Sequence, residues 1–255
     1  MGILYIIATP IGNLEDVSFR AIRLLGEVDL VLCEDTRVTA RLLARYRLKT
    51  PVLSYHQHTD EKKLDLVLGM LARGKNLALV SDAGTPGISD PGGQLVAAAR
   101  ERFGEEVKVE SVPGPSAVTA ALSISGIPTD RFLFLGFLPH KKGRQTMLVK
   151  IAVSEFPVVV YESKHRILKL LDELEALNQQ IGKFLSAGPE KPAGAWAALP
   201  RDQLSKIKPV TSVVVCRELS KMHETVYRGE PQAIKAMIQA GHNEQKGEFV
   251  VIIGR

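Results

Sequence analysis

Ser81-Asp82-Ala83-Gly84-Thr85-Pro86-Gly87-Ile88-Ser89-Asp90-Pro91-Gly92-Gly93 carries the chain out of a short apolar run and into a helix, and this passage decides between fold classes. The run before it, residues 76–81, has the length and composition of a buried strand. Residues 93–103 follow, with Leu95, Val96, Ala99 and Phe103 spaced to face inward from a helix. Five Gly or Pro residues punctuate the connection between Gly84 and Gly92. Strand, rigid loop and amphipathic helix in that order form one step of an α/β fold.

The same alternation extends in both directions. Further β-rich runs fall at residues 3–8, 29–33, 107–112, 132–137, 157–161, 212–216 and 249–253, several of them continuously apolar, as strands covered on both faces are. Residues 165–177 place Ile167, Leu170, Leu171, Leu174 and Leu177 on one helical stripe. The fold class expected is therefore α/β, with mostly parallel sheets covered by helices. Pro113-Gly114-Pro115-Ser116 leads into a small-residue helix at 117–125 that joins two halves. The division is drawn there, giving an N-terminal α/β domain 1–115 and a C-terminal α/β domain 116–255. Residues 178–209 contain Gly182, Gly188, Pro189, Pro192, Gly194 and Pro200 and read as an irregular insertion.

Composition narrows the class of protein. The chain has 255 residues, 45% of them hydrophobic, and 33 Lys and Arg against 28 Asp and Glu give a net charge of +5. A modest basic excess suits a polyanionic partner and equally an ordinary basic enzyme. Cys33 and Cys216 each lie in an apolar run, where a thiol behaves as a small hydrophobe and a reducing compartment is expected. No apolar run approaches the roughly 18 residues of a membrane span, and the first residues lack a basic leader. A cytoplasmic protein with no membrane association is the expectation.

In α/β sheets, ligands collect beyond the carboxyl ends of the strands, so the loops there hold the candidate chemistry. The 81–93 loop offers carbonyls and two carboxylates. Such a cradle suits a ligand with a positive centre and hydroxyls better than a phosphate. The plainer alternative is a rigid turn in which Asp90 caps the following helix. Thr9-Pro10-Ile11-Gly12-Asn13 after the first run brings bare backbone to a strand end, yet matches neither G-x-G-x-x-G nor a phosphate-binding P-loop. Cys33-Glu34-Asp35-Thr36-Arg37 adds two acids and an arginine. One acid there suits a general base; the alternative is a helix N-terminus complementing its dipole.

Tyr161-Glu162-Ser163-Lys164-His165-Arg166, His140-Lys141-Lys142-Gly143-Arg144 and the run Arg41, Arg45, Arg47, Lys49 supply cations for phosphates, unless they are merely solvated faces. His56-Gln57-His58 is the densest histidine pair, but no third ligand stands at a zinc spacing, so no metal is expected.

Taken together, TPIGN, CEDTR, SDAGTPGISDPG, VPGPSA, GFLP, YES-x-HR and RELSK resemble the 2′-O-ribose methyltransferases of small-subunit ribosomal RNA, within the tetrapyrrole-methylase superfamily. The resemblance is close over residues 1 to about 175 and looser over 212–255. It implies two αβα domains with S-adenosylmethionine in the cleft between them, and a cytidine in the decoding region of 16S ribosomal RNA as target. Carried over residue by residue, it implies cofactor contacts from Ile11, Asp82, Ala83, Gly84, Thr85, Ile88, Ser116, Ala117, Tyr161 and Leu219. Asp35, Arg37 and Glu162 become the catalytic candidates, with Asp35 leading as base. His56 and Arg166 would meet the RNA, together with Lys141 and Lys142 of the basic cluster. A homodimer acting on 16S RNA or the small ribosomal subunit is also implied.

Lys164 departs from the family's YESPHR, the 178–209 insertion precedes RELSK, and a small basic C-terminal extension carried by some members is missing. Two other readings remain at this point. One is carbon methylation of a tetrapyrrole (precorrin or uroporphyrinogen), and the other is a ribosome assembly factor without turnover.

Overall fold

The computed structural model describes residues 1–56, 60–90, 92–187, 196 and 207–254. The chain forms two compact units, Met1–Ala117 and Val118–Arg255.

The first unit holds five strands, β1 Ile3–Ile7, β2 Leu30–Cys33, β3 Val52–Ser54, β4 Leu77–Leu79 and β5 Lys108–Val112, all parallel in the order β3-β2-β4-β1-β5. Helices α1 Phe19–Glu27, α2 Thr36–Arg45, α3 Glu61–Ala72 and α4 Gly93–Phe103 connect them. Strand side chains alternate in period two between two cores. Ile7, Val31, Cys33, Ala78 and Val80 pack under α1 and α2. Leu4, Leu32, Leu77 and Leu79 pack under α3 and α4.

That split follows from strand order and handedness. The chain moves from β1 through β2 to β3 toward one edge and then from β3 through β4 to β5 toward the other. Right-handed crossovers in opposite directions place their helices on opposite faces. The loops leaving β1 and β4, which are neighbours, therefore depart in opposite senses and open a crevice at their carboxyl ends. Strand β3 escaped the sequence pattern because it is a three-residue edge strand with no apolar run of its own.

Apart from its first residue, α5 Ala117–Ser125, the small-residue helix expected from the sequence, opens the second unit. Its sheet contains β6 Leu133–Phe137, β7 Val158–Ser163, β8 Ser212–Arg217, β9 Thr225–Gly229 and β10 Glu248–Gly254, in the order β6-β7-β10-β8-β9. Helices α6 Arg144–Val153, α7 Ile167–Ala187 and α8 Pro231–Ala240 share one core with this sheet. Five of the eight strand pairings among the described residues are parallel, but four of those belong to the first sheet. In the second sheet only β6 and β7 run parallel, and β7-β10, β10-β8 and β8-β9 are antiparallel. Parallel pairing requires a crossover, and β8 turns directly into β9 without a helix.

Helix α7 corrects a second expectation. It continues through residues 178–187, which read from sequence as the start of an irregular insertion. Leu170, Leu174, Leu177 and Ile181 form one buried stripe across that limit. Gly182 is a helix-interior residue, not a break. The rest of the expected insertion, 188–195 and 197–206, lies outside the described residues, as do Gln57, His58 and Pro91.

A Cβ added at exposed Gly182 meets nothing within 4 Å, and the helix gains intrinsic propensity. Gly182→Ala should therefore raise stability by about 0.5–1 kcal/mol, read as a higher denaturant midpoint. A lowered midpoint would show that the helix ends before this residue.

Candidate active site

Three segments far apart in sequence are tied together at the carboxyl ends of β4, β1 and β5. Thr9 and Gly84 exchange backbone hydrogen bonds, with Thr9 N–H to the Gly84 carbonyl at 2.9 Å and Gly84 N–H to the Thr9 carbonyl at 3.0 Å. The Thr9 hydroxyl donates to the Ser81 carbonyl at 2.9 Å, and the Ser81 hydroxyl donates to the Gly84 carbonyl at 3.1 Å. The Thr85 hydroxyl reaches the Pro115 carbonyl at 3.4 Å. Gly84 has φ +85°, a conformation that strains any residue with a Cβ, and an added Cβ would sit 3.6 Å from Ile11 Cγ2. Ile11, Gly84 and Thr85, three of the expected cofactor residues, are thus placed side by side. Ser116 and Ala117 follow Pro115 directly, and Ala83 and Ile88 are exposed on the same loop.

Asp82 links this loop to the end of β2, because its Oδ1 accepts from Asp35 N–H at 3.0 Å. Asp35 is the N-cap of α2 and accepts from Arg37 N–H at 2.8 Å. The Arg37 guanidinium grips the same carboxylate, with Nη2 2.6 Å from Oδ2. That grip lowers the Asp35 pKa to about 2. Asp35 is therefore a good hydrogen-bond acceptor and a weak base, which argues against its leading role in proton removal. His56 lies exposed just past β3, whose next residue, Tyr55, donates its N–H to the Cys33 carbonyl at 2.7 Å.

Asp90 behaves in the opposite way. Burial raises its pKa to about 6, reinforced by the neighbouring charges of Glu34 and Asp82 and opposed by the Ser81 hydroxyl. It does not cap α4; the N-cap is Gly92, with no side-chain cap bond. Residues 81–93 contain no Lys or Arg, so the loop offers carbonyls, carboxylates and hydroxyls without a cationic side chain. This donor set fits a cofactor with a positive sulfur and ribose hydroxyls, and it disfavours a phosphate.

The remaining candidates occupy the second unit, gathered at the end of its sheet where β6, β7 and β8 finish. Tyr161 packs edge-on against Phe134 and at a tilt against Phe137, with ring centroids 5.0 and 5.4 Å away. Lys141 and Lys142 are exposed in the turn before α6. Leu219 is buried in a turn flanked by Glu218 and Ser220, both at positive φ, and Lys221 clamps Glu218 and Glu248 at 2.9 Å each. Non-glycine residues in that conformation store strain, a recurrent feature of ligand-contacting turns.

Glu162 and Arg166 need correction as candidates. The Glu162 side chain is wholly buried, 2.8 Å from Arg166 Nε and 3.5 Å from Arg144 Nη2, and it accepts from Ser163 N–H at 2.8 Å. Arg144 in turn pairs with Glu173 at 2.7 Å and donates to the Pro139 carbonyl. Arg166 donates to the Leu138 carbonyl at 2.9 Å. Glu162 points with Val158 and Val160 toward the helices, so it anchors α6 and α7 to β7 and offers no oxygen to a substrate. From the sequence, Arg144 belongs to a basic cluster that supplies cations for phosphates. The signal against that was its position, since Arg144, Leu148, Ile151 and Ala152 share one buried helical stripe.

Removing one partner from a buried ion network leaves an uncompensated charge. Glu162→Gln should cost about 3–5 kcal/mol of stability while the folded fraction keeps its cofactor affinity; a stable variant that has lost affinity would return Glu162 to the site. For Asp90, a raised folded pKa means that ionisation costs stability. The cost is absent below the ordinary value of 3.8, grows as pH rises through about 6, and is complete above it. Asp90→Asn should thus gain on the order of 1–2 kcal/mol near pH 8 and nothing near pH 4, by denaturant unfolding. Equal gains at both would show that ionisation of the buried carboxyl is not the cause.

Comparison with known proteins agrees with this architecture. Among curated relatives, "Ribosomal RNA small subunit methyltransferase I" of Synechocystis is 42% identical over 99% of this chain and 79% of its own length. The protein of the same name from Thermotoga maritima is 38% identical, covering 99% of this chain and 98% of its own. Among solved structures, diphthine synthase superposes with a TM-score of 0.66 at 14% identity, covering 99% of this chain and 90% of that one. Uroporphyrin-III C-methyl transferase from Thermus thermophilus, complexed with S-adenyl homocysteine, gives 0.56 at 18% identity, covering 100% and 98%. At such identities the likeness shows the fold alone. The family model for tetrapyrrole (corrin/porphyrin) methylases matches residues 3–234, and the chain belongs to that family.

Proposed function

We propose that this chain transfers a methyl group from S-adenosylmethionine to a ribose 2′-hydroxyl of 16S ribosomal RNA, on a cytidine of the decoding region. One observation carries the reading. The loops that the 2′-O-methyltransferase resemblance assigns to cofactor and substrate meet at the crevice between β1 and β4, tied by Thr9, Gly84 and the Asp82–Asp35 bond. Near-complete alignment with proteins named for small-subunit ribosomal RNA methylation supports RNA over a macrocycle. A cytoplasmic homodimer acting on 16S RNA or the small subunit is part of the same proposal.

S-adenosylmethionine supplies, when bound, a methyl group already activated by a positive sulfur. Ile11 would offer an apolar wall, Gly84 and Thr85 backbone and hydroxyl contacts, and Asp82 a carboxylate for ribose hydroxyls or the amino group. The resemblance assigns further cofactor contacts to Ser116 and Ala117, and, in the second unit, to Tyr161 and Leu219. The attacking ribose hydroxyl must lose its proton. Asp35, held near 2 by Arg37, would fix the nucleotide without retaining a proton. Asp90, near 6, is matched to accept one at neutral pH. His56, Lys141 and Lys142 stand exposed and suited to RNA contact.

Labelled methyl transfer to unmodified small subunits and to their free RNA, with the product mapped to an atom, tests the function. Label on a ribose oxygen is expected; label on a tetrapyrrole and none on RNA would overturn it. In the same assay kcat/KM should fall below about pH 6 in the wild type. Asp90→Asn should abolish that acid limb with a loss of about 10²–10⁴ in rate, whereas Asp35→Asn should lower the rate and keep the limb. A limb that survives Asp90→Asn removes Asp90 from proton transfer.

A further inference from the structure

Helix α2 leaves the proposed site at Asp35 and carries arginines at every fourth position, Arg37, Arg41 and Arg45. Residues four apart stand on one helical face, about 6 Å apart along the axis. All three are exposed, and the positions between them on that face are Ala40 and Ala44, also exposed and too small to block close approach. Arg47 and Lys49 prolong the row beyond the helix.

Positive charge is concentrated here over a short stretch. Residues 36–49 contain five basic and no acidic side chains, and without them the chain has 28 basic and 28 acidic residues. Those five charges equal the net charge of +5. By contrast, α3, on the opposite face of the same sheet, balances Lys62 and Lys63 against Glu61 and Asp65. Arg37 is held by Asp35 at 2.6 Å, and the row beyond it is weakly neutralised. Arg45 faces Glu15 at 3.7 Å with both side chains mostly in solvent, and Arg41 has no ion pair among the described residues. Exposed pairs of that kind contribute little, so a polyanion displaces them readily.

We propose that the arginine face of α2 is the docking track for the sugar-phosphate backbone of the RNA substrate. This rests on the RNA reading above and adds the surface that positions the strand. The regular spacing is comparable to the separation of successive phosphates, so one strand can be followed from the site along the helix. Contacts of this kind set register and carry no sequence information.

The test measures binding of a fluorescently labelled single-stranded oligoribonucleotide across a salt series, without turnover. Arg41→Ala/Arg45→Ala should weaken binding about tenfold or more near physiological salt and reduce the log K versus log salt slope by about 1.4, from two lost phosphate contacts. Arg41→Lys/Arg45→Lys should retain most of the slope. Lys62→Ala/Arg73→Ala, which removes the same charge from α3 and its C-cap, should leave affinity and slope unchanged, and unfolding midpoints confirm that each variant is folded. An unchanged slope in the α2 double variant overturns the proposal, as does an equal loss in both Ala pairs. The two readings fail separately. Wild-type methyl transfer to RNA with no α2 effect removes only the docking track, and α2-dependent binding without transfer to any RNA removes only the activity.

Discussion

The reciprocal pair of backbone hydrogen bonds between Thr9 and Gly84 is the constraint on which the first unit's functional end depends. It joins the loop after β1 to the loop after β4 at the point where the chain's two directions of travel across the sheet part company. The Ser81 and Thr9 hydroxyls serve the same join, each donating to a carbonyl of the β4 loop. Backbone groups that would otherwise need water are satisfied inside the loop, so its exposed face keeps a fixed shape. Without that join, Ile11 and Gly84 would have no reason to be neighbours.

Around this fixed frame the electrostatics separate two carboxylates of similar chemistry. Asp35 has a guanidinium on it, and Asp90 has two like charges and partial burial. The difference between about 2 and about 6 arises wholly from what surrounds them. Environments that push paired acids apart are how one site holds a hydrogen-bond acceptor and a proton acceptor at the same pH. The second unit uses charge differently. Its Arg144–Glu162–Arg166–Glu173 network is buried beneath the helices and fixes how α6 and α7 seat on β7.

Much of this was legible in the sequence because it rests on local pattern. Continuous apolar runs gave away buried strands, and the Gly and Pro residues of 84–92 marked a loop whose φ angles only particular residues tolerate. What escaped depends on the third dimension. Strand β3 has three residues at an edge, and β9 mixes Tyr227 and Arg228 in a hairpin, so neither shows a strong run. Strand direction in the second sheet was hidden for the same reason, since an apolar run carries no arrow. The pairing of Glu162 with Arg166 beneath the helices was hidden because a charged side chain in sequence looks the same whether it faces water or an opposite charge in the core. The alternative of Asp90 as a helix cap could not be set aside from sequence, because its perturbation comes from burial and from charges such as Glu34, 56 positions away.

The order of strands also bears on how the protein is made. Strand β10 lies between β7 and β8, yet it is the last of the five to emerge during synthesis. Until it is available, β7 and β8 lack the partner that joins them, and two long apolar strands face solvent with open edges. All strands of the first sheet lie within residues 3–112, so that unit can close while the second is still being translated. The second unit therefore matures late, and its half-made sheet is the stage at which this chain is most exposed to aggregation and most in need of a chaperone.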